Sequence, residues 1–215
     1  MNTRTSIIII VILILIGVIA GALLYNRLPD PVASHWNERG VVDGYMSRFW
    51  GVWMMPLVAT GMFLLFLLIP LIDPLKANIA AFREYFNTFI VLFVVFLLYI
   101  HGLTLAWNLG YRFDMGGAML PALGLFFIYA GVLIGKAKRN WFIGIRTPWT
   151  LSSDTVWAET HRIGAKLFMA SGILALIGAF FGPYAVWFIM MPLIGSSLFL
   201  VVYSYVLYQR ENKKA

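Results

Sequence analysis

The sequence predicts an all-α, polytopic integral membrane protein: a bundle of six transmembrane helices with both termini in the cytoplasm. Hydrophobic residues make up 61% of the 215 residues and charged residues only 12%, about half the charged share of a soluble domain. Because about 20 apolar residues cross a bilayer, a chain of this length with short loops has room for about six crossings. The composition excludes a water-soluble fold and leaves one membrane domain.

The distribution of charge orients this bundle. With both termini inside, twelve of the sixteen Lys and Arg residues and five of the nine acidic residues lie in the cytoplasm, and no span contains a formal charge. Basic residues mark the cytoplasmic ends of spans, so the opposite orientation is disfavoured. The net charge of +7 is explained by topology, and we predict no direct contact with nucleic acid.

Residues that would support catalysis or metal binding are scarce. The chain has no cysteine, hence no disulfide framework and no thiolate site. His35 and Asp43 alone lack the number and spacing of ligands that a metal site needs. The sequence has no HExxH, no phosphate-binding glycine loop and no nucleophile motif. We therefore predict no metal, no cofactor and no enzymatic activity.

Residues 1–72 are predicted to contain the first two spans and a long outer loop. The first span covers residues 7–24. A cleaved signal peptide is the alternative for this segment, but its 18 apolar residues exceed the usual apolar region of about 7 to 15. The second span covers residues 50–72 and tolerates one proline near each end.

The outer loop, residues 25–49, is predicted to be a folded cap of short extended and turn pieces. Two prolines and two glycine turns, at residues 37–40 and 43–44, favour that structure. In the structural interpretation, Asn37 and Asp43 make turn hydrogen bonds and Trp36 packs at the lipid interface. The functional alternative is recognition of a molecule outside the cell. The candidate residues for recognition are His35, Trp36, Asn37, Gly40, Asp43 and Tyr45.

Residues 73–134 are predicted to contain a short cytoplasmic connection, residues 73–87, and the third and fourth spans. The connection is expected to include an interfacial helical turn. The third span covers residues 88–108, and residues 109–118, with a pair of glycines, return the chain to the outside. Pro121 is expected to start the fourth span, because proline is tolerated in the first turn of a helix.

Three polar residues share one face of the third span: His101, Thr104 and Asn108. An ionisable residue within a membrane is a functional candidate. The simpler interpretation is a neutral His101 that hydrogen-bonds to a neighbouring helix, and we expect no buried carboxylate to pass a proton on. This argues against a proton-coupled pump and leaves a small membrane transporter as an alternative function.

Residues 135–215 are predicted to contain a long cytoplasmic loop, residues 135–166, followed by spans at residues 167–181 and 184–207. Pro192 is expected to kink the last span. The loop carries six of the sixteen basic residues and three of the eight tryptophans. We predict that its first part lies in the inner interface and that Arg146 points to headgroups, cytosol or an anion.

The second part of this loop is predicted to begin a helix that is capped by Ser152 or Ser153. Trp157 and His161 then align at i, i+4, and Glu159 pairs with Arg162. A capped helix start near an arginine can hold a phosphate or lipid headgroup, so lipid-headgroup binding or modification is a further alternative. The simpler interpretation is a helix that anchors the fifth span.

Three pairs of glycines are spaced four apart within the predicted spans, at residues 17 and 21, 131 and 135, and 178 and 182. Small residues at this spacing allow helices to approach closely in lipid. We interpret them as packing contacts within the bundle, and association into a homo-oligomer is the alternative.

Two motifs resemble known families. The outer pattern P-x-x-x-H-W-N-x-x-G-x-x-D-G-Y resembles a small N-terminal module of many bacterial and archaeal membrane proteins. The inner pattern NWFIGIRTPWTLSSDTVWAETHRIGAK resembles the signature of the SdpI family. The candidate residues of this signature loop are Asn140, Gly144, Arg146, Thr147, Pro148, Trp149, Thr150, Trp157, Glu159 and His161.

The resemblance implies a multi-pass protein of the cytoplasmic membrane that protects its cell against a secreted, membrane-active toxin peptide. In the type member of the family such a protein also signals to a soluble repressor, so the resemblance implies a cytosolic transcriptional repressor as a second partner. Membrane lipids are the remaining expected partner.

Overall fold

The computed structural model describes residues 1–213, which contain eight α-helices and one antiparallel β-hairpin. The helices are α1 Thr3–Leu24, α2 Arg48–Ile72, α3 Lys76–Ala81, α4 Arg83–Asn108, α5 Met115–Lys136, α6 Pro148–Ser152, α7 Asp154–Gly178 and α8 Trp187–Asn212. The hairpin strands are β1 Val32–Trp36 and β2 Val42–Met46, between α1 and α2. The hairpin lies within residues 25–49, where a cap of short extended and turn pieces was predicted, and it adds two strands to the predicted all-α fold.

Five of the helical segments within residues 1–213 are long and apolar enough to cross a membrane: Thr3–Arg27, Arg48–Ile72, Arg83–Asn108, Met115–Lys136 and Gly182–Asn212. The prediction of a helical membrane protein is confirmed at this level. Helix α7 has the same length as α2, 25 residues, but its first turns are polar. They carry Asp154, Glu159, Arg162 and Lys166.

Helices α1, α2, α4 and α5 all begin before the predicted spans, and the difference is largest for α4 and α5. Helix α4 begins at Arg83 instead of residue 88. Helix α5 begins at Met115 because the carboxylate of Asp114 accepts hydrogen bonds from the N–H groups of Gly116 and Gly117 at 3.1 and 3.0 Å. The two glycines expected in a loop therefore lie in the first turn of α5.

In the second half of the bundle, glycines allow α5 and α7 to pack closely against each other. A Cβ atom on Gly172 would lie 2.5 Å from the carbonyl oxygen of Gly124, and one on Gly131 would lie 2.7 Å from that of Ala165. The two backbones thus touch directly. Gly17 and Gly21 likewise face Leu98 and Val52 within the first half, so these glycines serve packing within the chain.

The first half of the bundle (α1, α2 and α4) and the second half (α5, α7 and α8) meet through phenylalanines of α4 and α5. Phe89, Phe93 and Phe96 of α4 surround Phe126 of α5, with ring centroids 5.2, 5.8 and 5.4 Å apart. These distances are typical of favourable aromatic pairs. The hairpin lies at one end of the bundle, and the loop between α5 and α7, hereafter the signature loop, lies at the other.

Candidate functional sites at the two ends of the bundle

The hairpin is closed by a turn that Asn37 organises. The Asn37 side-chain oxygen accepts hydrogen bonds from the N–H groups of Arg39 and Val41, both at 3.0 Å. Gly40 follows with a φ of +72°, a left-handed conformation that favours glycine. The predicted turn at residues 37–40, and the structural role of Asn37 in it, are confirmed.

The second predicted turn, at residues 43–44, is wrong. Asp43 and Gly44 lie within β2, where Gly44 pairs with His35 of β1. A Cβ on Gly44 would lie 2.9 Å from the Cβ of His35, so this strand position needs glycine. Asp43 makes no turn hydrogen bond; its carboxylate lies 2.5 Å from Nδ1 of His35, and both side chains are exposed.

The amide of Asn108 fastens the hairpin to the end of α4. Its oxygen accepts from the N–H of Ala33 at 2.8 Å, and its nitrogen donates to the carbonyl of Ala33 at 2.9 Å. Trp36 packs edge-on against Trp107 with centroids 5.4 Å apart. The interpretation that Trp36 packs at the lipid interface is therefore incomplete, because one side of its ring covers α4.

Replacing Asn108 by alanine is expected to free the hairpin from α4. Ala33 is buried, and its N–H and carbonyl would both lose their partner; each such loss costs about 1–3 kcal/mol. Hydrogen exchange measured by mass spectrometry should then accelerate at least about tenfold across β1. Asn212→Ala, an exposed change at the end of α8, is the control, and unchanged exchange in Asn108→Ala would contradict the anchoring role.

The polar face predicted on the third span does not act as a unit. Asn108 binds the hairpin, and the Thr104 hydroxyl donates to the carbonyl of Ile100 at 2.9 Å. His101 is buried near Gly21 of α1. Neither ring nitrogen of His101 has a hydrogen-bond partner among residues 1–213, so the predicted bond to a neighbouring helix is wrong.

At the other end, Asn140 is the centre of the signature loop. This side chain is fully buried. Its nitrogen donates to the carbonyls of Lys138 and Ile143, both at 2.8 Å, and its oxygen accepts from the N–H groups of Phe142 and Ile143 at 2.9 and 2.6 Å. One amide therefore satisfies four backbone groups of a segment that has no regular structure.

A buried carboxylate joins this loop to the first half of the bundle. Asp73, at the end of α2, is only 2% exposed. Its oxygens accept from the N–H of Trp141 at 2.9 Å and from the N–H of Leu75 at 2.6 Å. The expectation that no carboxylate is buried is therefore wrong. An acidic residue directly after an apolar span was the signal available in the sequence.

The remaining buried signature residues form a second network. Thr147 caps α6 and contacts the hydroxyl of Ser204 on α8 at 3.1 Å. The Thr150 hydroxyl donates to the carbonyl of Ile145 at 2.8 Å. Gly144 has a φ of +121°, and a Cβ there would collide with the ring of His161. These hydrogen bonds and close contacts therefore connect the signature loop and α6 to α7 and α8.

The ring of His161 is held from both sides. Nδ1 donates to the carbonyl of Trp157 at 2.8 Å and Nε2 accepts from the N–H of Ile145 at 3.0 Å, an arrangement that requires the neutral ring. The ring stacks on Trp157 at 3.9 Å. Burial lowers the pKa of His161 to about 4, while the bond to the Trp157 carbonyl opposes the shift.

We expect the stability of this end to fall in acid. The contribution of neutral His161 is fully present above pH 6.5, the ordinary pKa of the ring, and is lost as the pH falls towards about 4; it amounts to about 3 kcal/mol at most. Thermal unfolding of the full chain in lipid nanodiscs at pH 7.5 and 4.5 measures it. In His161→Gln, the unfolding temperature should differ less between the two pH values than in the unchanged chain. An equal difference in both proteins would refute the assignment of this pH dependence to His161.

Other signature residues face outward. Arg146 is exposed and donates a hydrogen bond to the carbonyl of Trp141 at 2.6 Å; that it points to headgroups, cytosol or an anion stays a prediction. Trp149 packs against Tyr205 of α8 with centroids 5.1 Å apart. Pro148 begins α6. Glu159 pairs with Arg162 at 2.7 Å, which confirms that prediction, and Ser153 is the confirmed cap of α7.

A cavity of about 760 Å³ lies beneath the hairpin, between it and α2, α4, α5 and α8. It brings together most of the candidate residues of the outer loop: His35, Trp36, Asn37, Gly40 and Asp43. Tyr45 is exposed and lies outside it. Sequence reasoning missed the residues that α5 and α8 contribute, since they are far apart in the chain and form no motif.

These features define a helical membrane protein with a polar hairpin at one end and an interlocked polar loop at the other. Residues 136–205 match the SdpI/YfhL protein family, and residues 12–60 match a domain of unknown function (DUF1648). The chain is 26% identical to the immunity protein SdpI of Bacillus subtilis (strain 168) over 206 aligned residues. The aligned region covers 95% of this chain and 97% of that protein. No solved structure matches the chain.

Proposed function

We propose that this protein is a membrane immunity protein of the SdpI type, which protects its cell from a secreted, membrane-active toxin peptide by binding and not by catalysis. The observation that carries the proposal is similarity to the immunity protein SdpI along 95% of the chain. The structure supports a binding role, because all the candidate residues of the hairpin except Tyr45 converge on one cavity.

The proposed arrangement places six spans in the cytoplasmic membrane, with residues 167–181, most of which lie in α7, as the fifth span and both termini inside. The basic residues around the signature loop support this orientation. The hairpin then faces the outside, where a secreted peptide arrives. The exposed Trp141 and Arg146 face the cytoplasm, where a repressor or anionic lipid can bind them.

Single-cysteine labelling tests this orientation, because the chain contains no native cysteine. Glu38 lies on the hairpin turn and Lys138 in the signature loop, and both are exposed. A membrane-impermeant maleimide should label Glu38→Cys in intact cells and Lys138→Cys only after permeabilisation. Labelling of Lys138→Cys in intact cells would overturn the orientation.

A survival assay tests the function itself. Expression of the chain in a toxin-sensitive host should raise survival, and His35→Ala or Asp43→Ala should reduce the gain about tenfold or more, since loss of about 1.4 kcal/mol of binding lowers affinity tenfold. Membrane abundance is measured in parallel. Tyr111→Ala, an exposed change outside the cavity, is the control. Unchanged killing by every related peptide would refute the proposal.

The transporter alternative gains no support from the polar face of α4. Thr104 and Asn108 both use their side chains in hydrogen bonds within the chain, and only His101 retains free ring nitrogens within residues 1–213. Such a face does not form a continuous polar path.

A further inference from the structure

The floor of the cavity under the hairpin is apolar and rich in methionine. Met55 of α2, Met115 and Met119 of α5 and Met190 of α8 all line it. Methionine is unbranched and polarizable, so such surfaces adapt to apolar ligands of irregular shape. The volume of about 760 Å³ falls within the roughly 300–1,000 Å³ of ligand sites in proteins.

A second cavity, of about 570 Å³, adjoins the first along the hairpin turn. Glu38, Arg39 and Pro183 line both cavities, and the second extends to Trp187, which is 53% exposed at the start of α8. The two cavities together form a groove that runs from beneath the hairpin to the exposed start of α8. That shape suits an elongated ligand.

The rim of the first cavity is acidic. Three carboxylates, Glu38, Asp43 and Asp114, face one guanidinium, that of Arg39, so the lining has a formal charge of −2 when His35 is neutral. The chain as a whole carries +7. A negatively charged mouth on a positively charged protein favours a cationic ligand.

The cavity wall also carries an unused hydrogen-bond donor. Trp36 lines the cavity, and its indole N–H is buried without a hydrogen-bond partner among residues 1–213. Buried donors are almost always paired in folded proteins. Because this N–H is covered in the structure, a peptide carbonyl can pair with it only when the indole turns towards the cavity.

We infer that this groove binds a cationic, amphipathic peptide segment, with the apolar face of the segment on the methionines and its basic side chains at the acidic rim. The inference rests on the proposed function and identifies both the site and the chemistry of the ligand. A zwitterionic or uncharged lipid chain fits the methionine floor but has no need of the net negative rim.

Fluorescence from a single cysteine in the groove tests the site. Met190 lines both cavities and is 44% exposed, while Leu198, two turns further along α8, is 66% exposed and lines neither. Each is replaced by cysteine in the full chain, labelled with an environment-sensitive dye and reconstituted in phosphatidylcholine nanodiscs. The probes are a synthetic Leu–Lys amphipathic peptide and its Leu–Glu counterpart.

The Leu–Lys peptide should give a saturable response at Met190→Cys, and the Leu–Glu peptide should not. No response at Leu198→Cys is expected from either. An equal response to both peptides, or at both positions, would overturn the inference. The inference would also be overturned if the fluorescence at Met190→Cys changed with the chain length of the lipid and not on addition of peptide, because the groove would then be a lipid site.

Two charge reversals on the hairpin turn, one of an acidic and one of a basic residue, test whether the groove prefers a cationic ligand. Glu38→Lys should weaken binding of the Leu–Lys peptide about fivefold, and Arg39→Glu should strengthen it by a similar factor, because each reverses one exposed charge worth about 1 kcal/mol. Both residues are exposed and far from the core. Equal affinities in the two variants would contradict a cationic ligand.

The outcomes separate this inference from the proposed function. If the chain raises survival but the Leu–Lys peptide gives no response at Met190→Cys, the groove inference fails and immunity stands. If the groove binds the peptide with the expected charge order and the chain protects against no toxin, the groove inference stands and immunity fails.

Discussion

Replacing Asn140 by leucine is expected to unfold the signature loop. Leucine fills a similar volume but pairs with none of the four backbone groups that the Asn140 amide satisfies. Each buried, unpaired group costs about 1–3 kcal/mol. The sum, on the order of 4 kcal/mol or more, is a large part of the 5–15 kcal/mol that stabilises a typical protein.

Denaturant unfolding of the detergent-solubilised chain, followed by tryptophan fluorescence, measures this loss. Asn140→Asp retains the acceptor oxygen but turns a buried carboxylate oxygen towards the carbonyls of Lys138 and Ile143, so it should destabilise the loop as well. Asn78→Ala is the matched control, because its side chain makes one bond to the same loop, to the carbonyl of Arg139 at 2.7 Å. Equal stability of Asn140→Leu and Asn78→Ala would refute the central role of Asn140.

The second large effect is expected from Gly172→Ala in α7. One methyl group would lie 2.5 Å from the carbonyl oxygen of Gly124 and 2.8 Å from the N–H nitrogen of Ile128, both backbone atoms that no side-chain rotation can move. Helices α5 and α7 must therefore separate, and overpacking of this kind costs about 1–3 kcal/mol or more.

Gly102→Ala provides the comparison, since this glycine also lies within a transmembrane helix but has no atom within 4 Å of its would-be Cβ. It should be neutral or slightly stabilising, because alanine is the better helix former. Monodispersity and thermal unfolding in detergent would distinguish the two variants. Similar behaviour of both would show that the close contact of α5 and α7 is not needed for folding.

The sequence predicted those features that depend on local chemistry. Long apolar runs predict helices because the bilayer leaves few other structures, and five such helices are present in residues 1–213. Local caps and pairs were also found from sequence: the turn at Asn37, the cap at Ser153 and the pair of Glu159 with Arg162. Each of these depends on residues within four positions of one another.

Features that depend on distant parts of the chain were missed. The strand position of Asp43 and Gly44 follows from pairing with His35 across the hairpin, which outweighs the turn preference of the Asp-Gly pair. The burial of Asp73 depends on Trp141, 68 positions away. The cavity needs walls from four helices, and composition alone does not reveal which faces of those helices meet.

The structure also changes how the signature motif is understood. Asn140, Gly144, Thr147, Thr150, Trp157 and His161 are directed inward and hold the loop together. Arg146, Trp141 and Glu159 are among the motif side chains that are accessible to a partner. Substitutions in the first group should therefore act through folding, and those in the second through binding.

The two helix contacts at α5 differ in how readily they allow movement. Against α7, peptide backbone meets peptide backbone at Gly124 and Gly172, so the two helices cannot move closer together at this contact. Against α4, the rings around Phe126 meet at interplanar angles from 15° to 51°, and such pairs tolerate many orientations. If the two groups of helices move relative to each other, we expect the rings around Phe126 to adjust and the contact between α5 and α7 to stay fixed.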